Sequence, residues 1–323
     1  LGFSLLWLAN NEVDEKNKVV FSSVLGMHPK KAVYTEGRGC ALEYDSKIEA
    51  YNPQTNITYN SEIWPREWVA GSPEVQAVLQ KAFDAPGETK LNTRGVIIIH
   101  KGEIIGEAYA DGIDMDSPLL GWSMAKSVTG MLAGILAKDG FWNLDDPMDI
   151  PAWQTDERKN ITLNDLMQMS SGLEWEENYG SVSTATVMLY NSPDLGAYAQ
   201  SLPLQFEPGT KWVYSSGTSN IIARKMADAF PDLESYQRFA YERLLGPIGA
   251  KSFVMETDAS GHYMGSSYGY SSVRDWAKLG LLMLQEGNWN GEQIIDSTWV
   301  NYCHTAAPAS DGAYGGQFWI NPN

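Results

Sequence analysis

The chain has 323 residues, of which 43% are hydrophobic and 20% charged, proportions typical of a globular protein. Its net charge of -17 at pH 7 argues against a nucleic-acid partner and against an anionic membrane surface, because both are bound by clustered lysine and arginine. The sequence contains no such basic cluster. Cys40 and Cys303 cannot form a disulfide framework, and we expect two reduced, mostly buried thiols.

The opening segment, LGFSLLWLAN, is apolar but too short to span a bilayer. It is interpreted either as the remnant of a clipped signal or membrane anchor, or as an N-terminal strand that packs on the protein. The first interpretation implies a periplasmic or membrane-anchored protein, and the second is compatible with a cytoplasmic one. The sequence therefore leaves the compartment open.

Short strand-like segments between residues 11 and 62, among them VVFSSVLGM and AVYTEG, predict an accessory layer. Helical periodicity over 72–85 predicts the first helix. The segment GVIIIHKGEIIGEAYA (95–110) predicts a β-hairpin that turns at Lys101 and Gly102, because glycine readily adopts the positive φ of a tight turn. A polar loop follows the hairpin.

A helix is predicted from Ser123 to Asp139, and two glycines inside it indicate close packing against a neighbouring element. Residues 161–245 are mostly helical in pattern, another helix is predicted over 271–287, and YGGQFWIN (314–321) predicts a strand. This order of strands, many helices and a final strand predicts the α+β class, with an antiparallel sheet flanked by helices and a largely helical second domain.

The predicted domain limits follow the same order. We expect an N-terminal accessory segment over 1–71 and a mainly helical domain over 146–254. An α/β domain would be formed by 72–145 together with 255–323.

Ser123 and Lys126 stand three residues apart at the predicted start of a helix, so their side chains share one face. A serine hydroxyl becomes a competent nucleophile when a base takes its proton, and lysine is such a base only when neutral. Its pKa of about 10.4 must fall by roughly 3 units for that role, and burial and the positive end of a helix both lower it. One S-x-x-K pattern is expected by chance in a chain of this composition. The alternative to a catalytic pair is therefore an ordinary serine at the start of a helix.

Other catalytic arrangements fit less well. GWSMA (121–125) approaches the G-x-S-x-G nucleophile elbow, but the segment before it has the composition of a polar loop. Chain order does not exclude His262 or His304 from a Ser-His-Asp triad, although we expect both in loops or on the surface. No zinc-ligand spacing, phosphate loop or dinucleotide fingerprint is present, and we expect neither a metal nor a cofactor.

Tyr214 lies in KWVYSSGTSN (211–220), among small hydroxylated residues. A tyrosine beside a Ser–Lys pair can relay the serine proton and later protonate the leaving group. Ser216 can hydrogen-bond the lysine or the substrate. Alone, Tyr214 is interpreted as a packing residue, and its conjunction with Ser123 makes it a catalytic candidate.

Taken together, these segments resemble the serine β-lactamase-like hydrolases, in the branch with class C β-lactamases, D,D-peptidases, family VIII carboxylesterases and 6-aminohexanoate-dimer hydrolase. The resemblance runs from about residue 90 to the end. In the order that this group shows, it is carried by SMAKS (123–127), LMQMSSGLEWEENYG (166–180), FEPGTKWVYSSGTSN (206–220), LLGPIGAKS (244–252) and GSSYGYSSVRDWAKLGLLMLQEGNWNGEQII (265–295).

The resemblance implies an α/β domain split in sequence by a helical domain, with the site between them at the start of the Ser123 helix. It also implies that Ser123 is the acylated nucleophile, that Lys126 is its base partner, and that Tyr214 is the tyrosine of the second motif. Trp122, which makes the approach to the serine apolar, is a candidate substrate-binding residue.

Two departures from the group's pattern stand out. Where β-lactamases carry Asn in the second motif, this chain has Ser216, a form closer to the esterase and aminohexanoate-hydrolase branch. In that branch a tyrosine in the segment matching EWEENYG lines the substrate pocket, which implies that Tyr179 is a candidate substrate-binding residue; the alternative is a loop aromatic that packs on its own domain. The group's third motif, Lys-Thr-Gly or His-x-Gly, does not occur up to Asn323, so we expect either that it lies beyond this residue or that catalysis is impaired.

The sequence thus predicts a serine hydrolase that cleaves small esters or amides through an acyl-Ser123 intermediate. A β-lactamase or D,D-peptidase is the alternative, and a non-catalytic binding protein of the same fold is the second alternative. The expected partner is a small-molecule ester or amide, without nucleic acid or membrane. The sequence does not indicate the oligomeric state.

Overall fold

The computed structural model describes residues 9–24, 27–44, 51–84 and 91–320. The choice between an anchor remnant and a packed strand concerns residues that lie largely outside these ranges. Within them, no helix combines the length and the apolar character needed to cross a membrane.

The N-terminal strands form one antiparallel sheet in chain order: β1 (Ala9–Asp14), β2 (Val19–Val24), β3 (Met27–Thr35) and β4 (Gly39–Leu42). The predicted strand-like segments are therefore confirmed. This sheet contacts the rest of the protein near β4, where the backbone N–H of Cys40 donates to Glu256 Oε1 at 2.6 Å. The Arg38 guanidinium donates to Thr257 Oγ1 at 2.8 Å. Neither Cys40 nor the buried Cys303 is in a disulfide, as expected.

The first helix, α1 (Pro73–Lys81), ends earlier than the predicted 72–85 and is capped by Ser72, whose side chain accepts from the N–H of Val75. The predicted hairpin is confirmed. It consists of β5 (Gly95–His100) and β6 (Glu103–Tyr109), joined by Lys101 and Gly102, both with positive φ. Two successive positive φ angles give the tight turn whose twist matches that of the flanking strands.

The remaining elements are mainly helices. They are α2 (Met124–Lys138), α3 (Leu163–Met167), α4 (Thr184–Asn191), α5 (Leu195–Ser201), α6 (Ser216–Met226), α7 (Leu233–Ala240), α8 (Val273–Leu284) and α9 (Ser297–His304). Short strands lie between them: β7 (Leu119–Leu120), β8 (Val254–Met255), β9 (Gly269–Ser271), β10 (Asn288–Trp289) and β11 (Glu292–Gln293). Strand β9 pairs with both β7 and β8, so the segment that enters α2 is joined to a segment that follows the helical region.

Helix α2 lies at the centre of the core. Its residues Leu132, Ile135 and Leu136 are at most 1% exposed. Gly134 faces the indole of Trp299, whose Nε1 donates to the carbonyl of Gly130 at 3.0 Å. Gly134 therefore allows α9 to approach α2 closely, and Gly130 does the same for the segment at Gly316 and Gln317, as the sequence predicted.

The prediction of a strand over 314–321 is wrong for the residues of this range that the structure describes, 314–320. Only an isolated bridge between Tyr314 and Trp319 is present, and Gln317 has a φ of 61°. The side chain of Gln317 is buried, accepts from Ser219 Oγ at 2.6 Å, and donates to the carbonyl of Leu166 at 3.2 Å. These inward hydrogen bonds hold the backbone in a turn that the residue pattern of the segment does not reveal.

We expect Gly134→Ala to destabilise the protein although alanine favours helices. An added Cβ would lie 2.4 Å from Trp299 Cδ1, and overpacking of this kind costs about 1–2 kcal/mol beyond the gain in helix propensity. Urea unfolding followed by circular dichroism measures the change.

The matched control is Gly280→Ala in α8, where an added Cβ meets nothing within 4 Å. It should leave stability unchanged or raise it by up to about 1 kcal/mol. Equal midpoints for the two variants would show that Trp299 does not restrict position 134.

Candidate active site

Ser123 stands immediately before α2, exposed to solvent, and its side chain makes no capping hydrogen bond to the helix. The hydroxyl is therefore free for other partners. The preceding residue, Trp122, has a φ of 46°, a conformation that costs free energy for a bulky side chain and that recurs at functional sites. Strand β7 leads into this turn, so the expectation of a polar loop directly before GWSMA is wrong in part: a short strand does precede the turn.

The amine of Lys126 is held by three oxygen atoms. Its Nζ lies 3.3 Å from Ser123 Oγ, 3.0 Å from Ser216 Oγ and 2.8 Å from the carbonyl oxygen of Ser266. Lys126 is only 1% exposed, and this burial lowers its pKa to about 8, because the charged form loses its hydration. About one tenth of the lysine is then neutral at pH 7, compared with a negligible fraction at an ordinary pKa.

The Ser266 carbonyl reaches the lysine because its chain segment lies unusually close to α2. A Cβ added to Gly265 would be 2.5 Å from Thr129 Oγ1, so this position requires glycine. The Thr129 hydroxyl donates to the carbonyl of Gly265 at 2.8 Å and fixes the segment. Asn220 on α6 donates to Ser266 Oγ at 3.0 Å and anchors it from the other side.

Tyr214 covers the lysine. The Lys126 Nζ lies 4.9 Å from the centre of the Tyr214 ring, and the ring of Trp319 packs against that of Tyr214 with centres 5.2 Å apart. Burial raises the pKa of Tyr214, so the phenol is neutral near pH 7. Its ring packs edge-on against Tyr314 at 5.9 Å, which fixes its orientation.

Glu177 is a site residue that sequence reasoning missed. Its Oε2 accepts from the backbone N–H of Ser216 at 2.9 Å, and its Oε1 accepts from the Ser216 hydroxyl at 2.5 Å. Ser216 is the first residue of α6, so the carboxylate also lies at the positive end of a helix. The motif LEWEENYG contains three glutamates within four positions, and nothing in the pattern distinguishes the one that points inward.

The structure places the other predicted binding residues at the rim. Tyr179 is 54% exposed, and its hydroxyl donates to Glu177 Oε1 and lies 3.4 Å from Ser216 Oγ. Trp122 is also 54% exposed and packs against Tyr268, with ring centres 5.8 Å apart. The chain thus brings together Ser123, Lys126, Tyr214, Ser216 and Tyr179, with Trp122 beside the serine.

Neither downstream histidine hydrogen-bonds Ser123 within the described ranges. His262 Nδ1 lies 3.8 Å from Asp194 Oδ2 and 4.0 Å from Asp258 Oδ1. Among the described residues, Asp194, Asp258 and His262 have ligand atoms close enough together to hold a metal ion. The Asp194 carboxylate is already hydrogen-bonded, however, because Arg224 Nε donates to it at 2.9 Å. His304 packs against Phe318 instead.

This arrangement, a serine at a helix start with a buried lysine and a tyrosine, is typical of serine hydrolases with a penicillin-recognising fold. A family model described as Beta-lactamase matches residues 79–323. The chain therefore belongs to the β-lactamase family of hydrolases and has the β-lactamase/transpeptidase-like α+β fold that the sequence predicted.

Several solved structures share this fold. One assigned as a 6-aminohexanoate-dimer hydrolase from Bacillus anthracis is 20% identical, with a TM-score of 0.68 over 83% of this chain and 76% of that one. One assigned as a β-lactamase from Bacteroides dorei is 16% identical, with a TM-score of 0.58 over 76% and 77% of the two chains. A family VIII carboxylesterase is 17% identical, with a TM-score of 0.54 over 73% and 76%. No curated protein matches the chain.

The state of Lys126 leads to a prediction for the reactivity of Ser123. We expect the rate of labelling by a fluorophosphonate probe to rise about tenfold per pH unit below pH 8 and to level off above it, because only the neutral amine acts as base. Replacing Lys126 by alanine should slow labelling by about 10²- to 10⁴-fold.

The matched control is Lys138→Met, which removes a charge from the exposed last turn of the same helix. Its labelling rate should equal that of the wild type. A wild-type rate that is flat between pH 6 and 9, or that still rises at pH 10, would contradict a lysine pKa near 8.

Proposed function

We propose that this protein is a serine hydrolase that cleaves small esters or amides through an acyl-Ser123 intermediate. The observation that carries the proposal is the 3.3 Å approach of a buried lysine amine to a serine hydroxyl that makes no helix-capping bond. The names of the similar structures, an aminohexanoate-dimer hydrolase and a carboxylesterase, agree with this reaction class.

In the first half of the reaction, neutral Lys126 accepts the proton of Ser123 as Oγ attacks the carbonyl carbon of the substrate. The new bond joins Oγ to the acyl carbon, and the bond from that carbon to the alcohol or amine breaks. The neutral phenol of Tyr214, whose ring lies 4.9 Å from Lys126 Nζ, passes a proton to the departing group and recovers one from the protonated lysine. In the second half, water attacks the acyl carbon, the bond from that carbon to Oγ breaks, and a proton from the water passes through Lys126 to Ser123, which releases the acid and restores the neutral amine.

The tetrahedral intermediate carries a negative charge on oxygen that requires hydrogen-bond donors. The backbone N–H of Ser123 has no hydrogen-bond acceptor among the described residues. It lies at the positive end of α2, which stabilises an anion. We assign it as one donor of the oxyanion hole.

The surroundings of the site favour esters and amides over β-lactams. β-Lactam antibiotics carry a carboxylate, which calls for a cationic partner. Ser216, at the position where β-lactamases carry Asn, instead donates to the carboxylate of Glu177 at 2.5 Å, and a carboxylate repels a second carboxylate. The entrance is instead aromatic, with Trp122, Tyr179 and Trp319 each more than half exposed.

The test is hydrolysis of a short-chain p-nitrophenyl ester by the wild type and by Ser123→Ala, with intact mass recorded during turnover. The wild type should release p-nitrophenol and carry one acyl group, and both signals should vanish in the variant because the nucleophile is lost. Nitrocefin should be turned over far more slowly than the ester.

Ser127→Ala is the matched control, since this serine lies on the same helix but donates to the carbonyl of Gln317 at 3.0 Å. It should retain both activity and adduct. Equal rates for wild type and Ser123→Ala, with no adduct, would favour the non-catalytic binding protein. Nitrocefin turnover comparable with ester turnover would favour a β-lactamase or D,D-peptidase.

A further inference from the structure

We propose that Glu177 is a positioning residue for the reaction: through the hydroxyl of Ser216, its carboxylate directs the lone pair of neutral Lys126 at Ser123. The inference rests on the acyl-enzyme chemistry proposed above. Glu177 acts through Ser216 and is assigned no contact with substrate.

The carboxylate of Glu177 is fully occupied as a hydrogen-bond acceptor. The hydroxyl groups of Ser216 and Tyr179 both lie 2.5 Å from Oε1. The backbone N–H of Ser216 lies 2.9 Å from Oε2, and the indole Nε1 of Trp175 lies 2.5 Å from it. Four donors therefore converge on the two oxygens, which suits an ionised carboxylate because it can only accept.

This arrangement fixes the direction of every hydrogen bond around the lysine. The single proton of the Ser216 hydroxyl is used on Glu177, so Ser216 can only accept from Lys126. The carbonyl of Ser266 can likewise only accept. A neutral amine has two protons and one lone pair, and with both protons directed to these acceptors the lone pair is left for the hydroxyl of Ser123.

The charge of Glu177 acts on the same amine. Within the described residues, the groups that face the site include one amine, that of Lys126 on α2, and one carboxylate, that of Glu177 in the segment before α4. The other titratable side chains packed around them are tyrosines whose pKa is raised by burial: Tyr179, Tyr214 and Tyr314. The negative charge of Glu177 raises the pKa of Lys126 and so partly opposes the burial that lowers it.

Replacing Glu177 by glutamine keeps the size and shape of the side chain. It changes the hydrogen-bond directions around Lys126 and removes the negative charge that acts on the amine. The amide oxygen can still accept from the two N–H donors, which leaves the amide NH₂ facing the two hydroxyls. That NH₂ donates to Ser216, whose own proton is then free to occupy the lone pair of Lys126. Because the negative charge is also gone, the neutral form of the lysine becomes more populated but is directed less well at Ser123.

The experiment measures kcat/KM for a p-nitrophenyl ester from pH 5.5 to 9.5 in the wild type and in Glu177→Gln. We expect the midpoint of the rising limb to move to lower pH by about half a unit or more. We expect the plateau at high pH to fall by about tenfold. Melting curves establish that both proteins are folded. A merely structural role for Glu177 would lower the melting temperature without moving the midpoint of the rising limb.

Glu176→Gln is the matched control, since it removes an equal charge from the exposed neighbouring residue. It should leave the limb and the plateau unchanged. Glu177→Asp keeps the charge but shortens the reach to Ser216, so its limb should stay at the wild-type position while its plateau falls.

A Glu177→Gln limb that coincides with the wild type, or one that moves no further than that of Glu176→Gln, would overturn the inference. If Glu177→Gln does not fold, a Glu177→Asp plateau equal to the wild type would overturn it as well. A wild type without any Ser123-dependent activity would instead contradict the proposed function, so the two failures are distinguishable.

Discussion

The burial of one lysine amine constrains the site more than any other interaction. A charged ammonium removed from water is costly unless hydrogen bonds replace its hydration, and the same loss of hydration lowers its pKa. Three oxygens surround Lys126 Nζ, which matches the three donors of the charged form. The amine is thus buried deeply enough to become neutral near pH 8 and is hydrogen-bonded well enough to remain in place in either state.

The three oxygens come from separate parts of the chain, so the fold has to be complete before the site exists. Ser123 lies at the start of α2, Ser216 at the start of α6, and Ser266 in the segment before β9. The pairing of β7 with β9 ties the entrance of α2 to the last of these segments. The N-termini of α2 and α6 both lie beside the lysine, and the positive end of a helix stabilises negative charge. That of α2 would stabilise an alkoxide at Ser123, and that of α6 lies at the Glu177 carboxylate.

Features that a sequence expresses as a pattern of side chains could be predicted. The Ser–Lys spacing, the α2 helix, its small residues at a helix contact and the tight hairpin turn all depend on local chemistry, and the order of the motifs indicated the family. The carbonyl of Ser266 could not be predicted as a site group, because a backbone oxygen has no residue signature. Glu177 was missed because its neighbours Glu174 and Glu176 have the same local pattern, and only tertiary packing selects one of them.

The failed strand at 314–321 has a similar cause. The residue pattern of YGGQFWIN predicted a strand, but the buried amide of Gln317 finds its partners on α3 and α6 in a backbone conformation with positive φ. Long-range hydrogen bonds of one polar side chain outweighed the local preference of its neighbours. The same kind of interaction, between Glu177 and Ser216, organises the candidate active site.

The most direct test of this account is the titration of Lys126 itself, followed by NMR on protein with ¹³C at the lysine Cε position. The resonance missing from Lys126→Met identifies the residue. The account predicts a midpoint near pH 8, well below those of exposed lysines at about 10.4. A Lys126 resonance that titrates together with the exposed lysines would show that the amine is not a base at neutral pH and would contradict the account.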